Sequence, residues 1–317
     1  LSEDRVKGYR NFLNKIWNAN KFLKLNKCEL SKNIKLKTIK LDVNKWIYCE
    51  LKKTNIEAQA YISKFRFDEA ARIIYQFVWH SYCDWYIEFL KPIFESKQKK
   101  NIQESRHVAS YIQSNILIML HPFIPFSTEK IWIDFKFGNY FKSPLMFKDW
   151  NLITKPTSLF KQSYKKIDWL IHLVTTIRST KADLDVSPGL YIDVSIEELN
   201  NSRKNIIKNN SNLFKRLARV SNIYDSKVNK NGIKIIVGTE SATLYFDQNL
   251  DLVAQRQKIS NSVKDLDQKV IIIKGKLKNK SFLKNAPKQI INREKKALID
   301  NKIELKKLNS ILNSIKN

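Results

Sequence analysis

Near the carboxyl end of this chain Leu252, Ile259, Val263, Leu266, Val270, Ile273 and Leu277 recur at steps of seven, or of alternating four and three. A second run, Ile291, Leu298, Leu305, Leu308, Leu312 and Ile315, keeps the same period, although Glu294 and Asn301 occupy seam positions and weaken it locally. A 3.5-residue apolar repeat is satisfied when one helix lays its seam against another. The runs are separated by a short break at 279–287, so the simplest fold is an antiparallel coiled-coil hairpin over 250–317. Pairing within the chain leaves a dimerising coiled coil as the weaker alternative, and a monomer is expected. Each arm is about 40 Å long at about 1.5 Å per residue.

Upstream the period changes to that of globular helices. Val6, Tyr9, Leu13, Ile16, Asn20 and Leu23 share one helical face, with Ser2 or Asp4 as a cap. A second helix is predicted over 42–61, with Val43, Trp46, Ile47 and Leu51 on one side. A third begins near Asp68 and is expected to stop before Lys91-Pro92, because proline disfavours helix in its predecessor. A fourth spans 101–120, ending at His121-Pro122. A fifth follows Pro125, where Ser127-Thr128-Glu129 supplies capping chemistry. The first 150 residues therefore read as an antiparallel helix bundle. The pattern breaks around 150–156. A helix over 159–181, a turn at Ser187-Pro188-Gly189, a strand over 191–196, helical residues over 199–217 and two strands at 233–237 and 242–246 around Gly238 make a small α/β module over 151–249. The fold class is mainly α: a bundle, a small α/β module, then a two-helix coiled coil.

Charge narrows the function. Lys plus Arg number 58 against 30 for Asp plus Glu, a formal net charge of +28. Such an excess gathers polyanions and speeds their association. An AT-rich genome inflates lysine, but it tolerates acidic codons too and does not explain a two-to-one imbalance. Nucleic acid is the expected partner, with an acidic membrane surface next. Between 268 and 293 stand Lys269, Lys274, Lys276, Lys278, Lys280, Lys284, Lys288 and Arg293, with no acidic residue among them. A solvated coiled-coil face mixes signs, so this arm is expected to contact phosphates on the outer body of an RNA. The outer side of the first helix carries Lys7, Asn11, Asn14, Lys15, Asn18 and Lys21, with Phe22 among them. An aromatic facing away from its own stripe needs a neighbouring helix or another domain, or else an unstacked base flanked by amides and lysines. Phe12 and Trp17 flank the buried stripe and read as core.

Catalytic chemistry is not legible. None of the six glycines builds a phosphate-cradling loop, and the four histidines have no ligand spacing. Three cysteines, Cys28, Cys49 and Cys83, show no metal-type pairing and fit a reducing cytoplasm. Asp84 and Glu88 share a helical face, but such pairs are more often salt-bridged than catalytic. No apolar run approaches the roughly 18 residues of a membrane helix, and no membrane partner is expected.

Several segments resemble one family. Residues 9–19 (Tyr9-Arg10-Asn11-Phe12 through Trp17-Asn18-Ala19) are similar to the helix that follows the KMSKS loop in valyl-tRNA synthetases, class I enzymes. Cys83-Asp84-Trp85-Tyr86-Ile87-Glu88, within 77–92, looks like the signature of their anticodon-binding bundle. His121-Pro122-Phe123-Ile124-Pro125 and the following residues to Trp132 resemble a motif shared by the enzymes for branched aliphatic amino acids. Ile177-Arg178 and Val186-Ser187-Pro188-Gly189 match the next domain, and 279–287 resembles the turn of the valine enzyme's coiled coil, which the leucine enzyme lacks. Lys21 and Lys181 stand where the family usually has arginine, which keeps charge but loses bidentate donors. The resemblance implies a longer protein that joins valine to tRNA(Val) with ATP, magnesium being expected, and that works in the cytoplasm. Neither HIGH nor KMSKS occurs here. This stretch is therefore expected to bind tRNA(Val) at its anticodon region and outer body, to hold no catalytic residue, cofactor or metal, to be inactive alone, and to have the catalytic domain of the same chain as its other partner. The alternative is a protein-partner scaffold built on a coiled coil.

Overall fold

The computed structural model describes residues 3–28, 38–135, 144–150, 153, 158–226, 228, 232–246, 252–279, 282 and 287–314. It divides into two compact units, Leu1–Ile171 and His172–Asn317, and the division falls inside one helix.

The first unit is helical. Helix α1 (Glu3–Leu25) packs on the segment 77–86 and on α5 and α6; α2 (Asp42–Ile62) packs on α3 (Phe67–Gln76), on 77–86 and on α5 (Lys99–Leu120). The buried side of α1 is rotated from the expected stripe. Phe12, Ile16, Ala19, Asn20 and Leu23 are buried, whereas Tyr9 is 60 % exposed. Phe12 takes the inner place because it lies against Tyr75 and Trp79, with ring centroids at 4.7 and 6.3 Å. The side chains of Asp4 and Val6, and all of Ser2, lie outside the described residues.

Helix α3 does not stop before Lys91. It continues as a π-helix over Phe77–Tyr86 and then as α4 (Ile87–Glu95), which contains Pro92. Proline removes one backbone donor and crowds the carbonyl four residues back. Here it sits in a helix that ends three residues later, so little ladder is lost. The π-helix, normally confined to single turns, runs through the very residues 77–86 that carry the signature segment.

At the N-terminus of α2 the backbone amides of Lys40 and Leu41 both donate to the Glu104 carboxylate at 3.0 Å. Asn44, buried, donates to Glu104 at 2.9 Å and to Ser105 at 3.1 Å, while the Tyr86 hydroxyl donates to Asn44 Oδ1 at 2.8 Å. This network ties α2, α4's approach and α5 together. In α6 (Pro125–Phe135) the expected capping residues act differently. The Thr128 hydroxyl bonds back to the Ile124 and Pro125 carbonyls and lies 2.9 Å from His121 Nδ1. The Glu129 carboxylate accepts the amides of Leu145 and Met146.

The second unit begins within α7 (Lys161–Asp183). Its sheet has the order β2-β1-β4-β3, from β1 (Ile192–Ser195), β2 (Val220–Tyr224), β3 (Ile233–Val237) and β4 (Glu240–Tyr245). Strands β1 and β2 are parallel and joined through α8 (Asn201–Asn209) and α9 (Ser211–Ala218), as a parallel connection requires. Strand β2 was not expected from sequence. Strands β3 and β4 form a hairpin whose turn includes Gly238 at φ +67°. The helices α10 (Leu252–Lys278) and α11 (Lys288–Ser314) pair as a hairpin. Ile259 meets Leu308 and Ile311 at one end, and Lys276 pairs with Glu294 at 3.2 Å toward the other, so the arms are antiparallel. The base of the hairpin shares a core with Leu184, Val186 and Ile233. Lys307 and Lys258 add ion pairs to Asp183 at 2.6 Å and Asp185 at 2.5 Å.

Candidate nucleic-acid interface

Two surfaces carry the residues singled out from sequence. On α1, Lys7, Asn11, Asn14, Asn18 and Lys21 are exposed. Lys15 is half-buried instead: its ammonium donates to Asp84 and stands 3.8 Å over the Trp79 ring. Trp79 stacks in turn on Tyr75 at 5.7 Å. His80 Nδ1 lies 3.3 Å from the Asp84 carboxylate, and Glu88 pairs with Lys91 at 2.5 Å. The shared acidic face is thus a salt-bridged one. Phe22 is half-buried, with its ring 5.8 Å from that of Phe94. A neighbouring helix therefore supplies the partner that an outward aromatic needs. Lys21 lies 6.0 Å from the Trp17 ring centroid.

Five exposed polar positions on a helix whose inner side is locked by aromatics give a surface of amides and ammonium groups on a fixed scaffold. Amides reach base edges, and ammonium groups reach phosphates. Lys15 instead anchors α1 to the π-helix. Sequence spacing did not reveal that, because Asp84 lies 69 positions away.

On the hairpin, Lys269, Lys274, Lys276, Lys278 and Arg293 are exposed. Lys276 is engaged by Glu294. Lys280, Lys284 and the side chain of Lys288 lie outside the described residues. Exposed isoleucines stand among these cations: Ile271 is 67 % exposed and Ile272, Ile299 and Ile303 are similarly open.

Among the described residues no three His, Cys, Asp or Glu side chains gather as a metal set, and no helix is long and apolar enough to cross a membrane. Burial pushes the Cys28 and Cys83 thiols up to about 12 and that of Cys49 up to about 11. None is poised as a nucleophile.

Residues 44–196 match the family profile described as the anticodon-binding domain of tRNA ligase. The chain is 41 % identical over 297 residues to the valine–tRNA ligase of Pelagibacter ubique, covering 93 % of this chain and 33 % of that protein. It is 33 % identical to that of Agrobacterium fabrum, over 99 % of this chain and 33 % of the other, and 31 % identical to that of Bartonella quintana, over 98 % and 34 %. The chain thus spans about a third of the length of the curated relatives it matches. The matched profile begins in α2 and runs through the rest of the bundle and α7 into β1, and nearly the whole chain, bundle, sheet module and hairpin together, is similar to about a third of each of these valine–tRNA ligases.

Proposed function

We propose that this chain is the tRNA-recognition part of a valine–tRNA ligase, holding tRNA(Val) through the exposed face of α1 at the anticodon region and through the hairpin arm at the outer body. The observation that carries the reading is the one-signed arm: exposed Lys269, Lys274, Lys278 and Arg293 in a stretch without a carboxylate, on a chain whose bundle matches an anticodon-binding profile. Phosphate contacts of this kind give position and affinity, and base contacts on α1 give discrimination. On this reading the longer protein joins valine to tRNA with ATP and magnesium, releasing AMP and pyrophosphate, in the cytoplasm and as a monomer. The three domains are a bundle over 1–150, an α/β module over 151–249 and a hairpin over 250–317.

Replacing Lys269, Lys274 and Lys278 together by glutamine tests the arm. Removing 251–317 would be a poorer test, because it would uncover Leu184, Val186 and Ile233. Each lost phosphate contact removes roughly 0.7 to 0.9 from the slope of log K against log salt, so the triple variant is expected to lose about 2. An unchanged slope refutes the arm's role. The second reading, a protein-partner scaffold, is favoured by the exposed isoleucines of the arm. It predicts unchanged tRNA binding by the triple variant and loss of a protein complex on Ile299→Lys.

A further inference from the structure

Away from both surfaces, three cations gather where α7, the 188–191 turn and the end of α9 meet. Arg178 and Lys181 are three apart on α7 and so share a face. The Arg178 guanidinium donates from Nε and Nη2 to the Leu217 carbonyl, at 3.0 and 2.8 Å. Lys181 is only 2 % exposed, and its ammonium donates to the carbonyl of Leu190 and, at 3.5 Å, to that of Pro188. Arg219, two residues beyond Leu217, turns back onto Tyr191, donating to its hydroxyl at 3.0 Å with the guanidinium carbon 5.6 Å from the ring centroid. Burial first, then the charges of Arg219 and Arg178, hold the Lys181 ammonium below its usual pKa.

Arg219 caps α9 in the left-handed region, at φ +53°. Glycine occupies such a position without strain. Lys27, Phe65 and Asp185 share this conformation, so the dihedral alone does not single Arg219 out. What does is the convergence: a strained backbone carries a third cation to a place where two already repel each other, beside an open tyrosine. Backbone strain and like-charge crowding gathered at one place are features found at functional sites.

We propose that Arg219 and Arg178, framed by Tyr191, form a further RNA contact that takes a phosphodiester of the bound tRNA, on the α/β module rather than on the bundle or the arm. The inference rests on the tRNA-binding reading but concerns a different surface. Two guanidinium groups, one fixed by a carbonyl and the other by a phenol, are suited to forked recognition of phosphate oxygens. Lys181 is a positioning residue: it fixes the 188–191 turn that presents Tyr191.

Arg219→Gly decides the matter, because glycine relieves the backbone while it removes the charge. The melting temperature of the intact chain is expected to stay level or rise. Affinity for tRNA(Val) is expected to fall about tenfold, as for loss of one charged hydrogen-bonding group. The salt slope is expected to fall by roughly 0.7 to 0.9. Equal affinity and slope in variant and wild type overturn this inference alone. A fall in melting temperature with affinity unchanged also overturns it and makes Arg219 a packing residue. A wild-type chain that binds no tRNA overturns both this inference and the reading beneath it.

Discussion

Helix α2 of the bundle and helix α10 of the arm are of similar length, yet they bury their side chains very differently. Nine of the 21 residues of α2 are buried, including Trp46, Tyr48 and the polar Asn44, Thr54 and Asn55. Among the described side chains of α10, a helix of 27 residues, only Ile259, Val270 and Ile273 are buried. A helix surrounded by several neighbours must satisfy the polar groups it takes inside, and α2 does so for Asn44 through Glu104, Ser105 and Tyr86, and for Asn55 through the Ile153 amide, which donates to its Oδ1 at 3.2 Å. A helix with one neighbour needs only a seam. The bundle is thus a site-holding core with little tolerance, while the arm is a lever whose surface is free to carry charge.

The largest test of that contrast is truncation. Phe89 is fully buried, with its ring 5.8 Å from Trp46 and 5.9 Å from Trp85. Phe89→Ala is expected to cost about 3–5 kcal/mol in urea unfolding followed by the bundle's fluorescence. Leu305→Ala on the arm seam is expected to cost clearly less, because solvent and the neighbouring arm can close the gap. Equal costs would break the comparison.

Reactivity gives a second measure of the bundle's dryness, since all three cysteines lie there. With Cys28 and Cys83 pushed up to about 12 from the ordinary 9.0, the thiolate fraction at pH 8 falls about 10³-fold relative to the unfolded chain. Alkylation of Cys28 and Cys83 in the native protein should therefore be slower than in the urea-unfolded protein by about this factor, and that of Cys49, pushed up to about 11, by about 10²-fold. The linked stability has a definite sign. Folded values above the unfolded one mean that the contribution is fully present below about pH 9 and is lost as pH rises from there toward 12. A native alkylation rate close to the unfolded one would show a wet core.

Asn44 tests the polar part of the same core. Asn44→Ala strands the buried Tyr86 hydroxyl and takes a donor from Glu104, at an expected cost of about 2–3 kcal/mol. Asn44→Ala combined with Tyr86→Phe should cost less than the sum of the two single changes, because the orphaned hydroxyl is then gone. Strict additivity would mean that the network is not a unit.

The same contrast decides what could be read from sequence. The hairpin was legible because one neighbour imposes one period: Ile259, Val270, Ile273, Leu305 and Leu308 fall on the predicted seam, although Ile311 is buried where the seam was read at Leu312, which is only half-buried. The bundle's helix α2 was legible because Val43, Trp46, Ile47 and Leu51 recur on one side of it. The face of α1 was not: three neighbours compete for it, and the Phe12–Tyr75–Trp79 stack turned it away from Tyr9. Pro92 misled because a local rule for its predecessor ignores how near the helix end lies. Strand β2 was missed because Ser221 and Asn222, both exposed, break the apolar alternation; the buried Asp193 on the neighbouring strand accepts from Asn222 and Tyr224. On the candidate interface, sequence marked Lys15 as outward, whereas Asp84 and Trp79 hold it. It gave no sign of Arg219, which matters through a backbone conformation and a contact 28 positions away.

The smallest predicted effect is on the arm, and it runs the other way. Asn301 sits in the seam between Leu298 and Leu305, a position where a heptad calls for an apolar side chain. It is half-buried and so has lost part of its hydration. A polar seam residue lowers stability but fixes register, since a shifted pairing would bury the amide elsewhere at greater cost. Asn301→Leu is therefore expected to stabilise the hairpin by about 1 kcal/mol, read as slower amide hydrogen exchange in α10 and α11. Melting temperature is a blunter measure here, because a chain with two compact units need not unfold in one step. The bundle's exchange should be unchanged. The same substitution should raise the tendency of arms to pair between molecules, seen as a concentration-dependent dimer in sedimentation. If Asn301→Leu leaves exchange in the arm unchanged, the seam is not continuous through residue 301, and the arm beyond it is held by its base rather than by its own heptads.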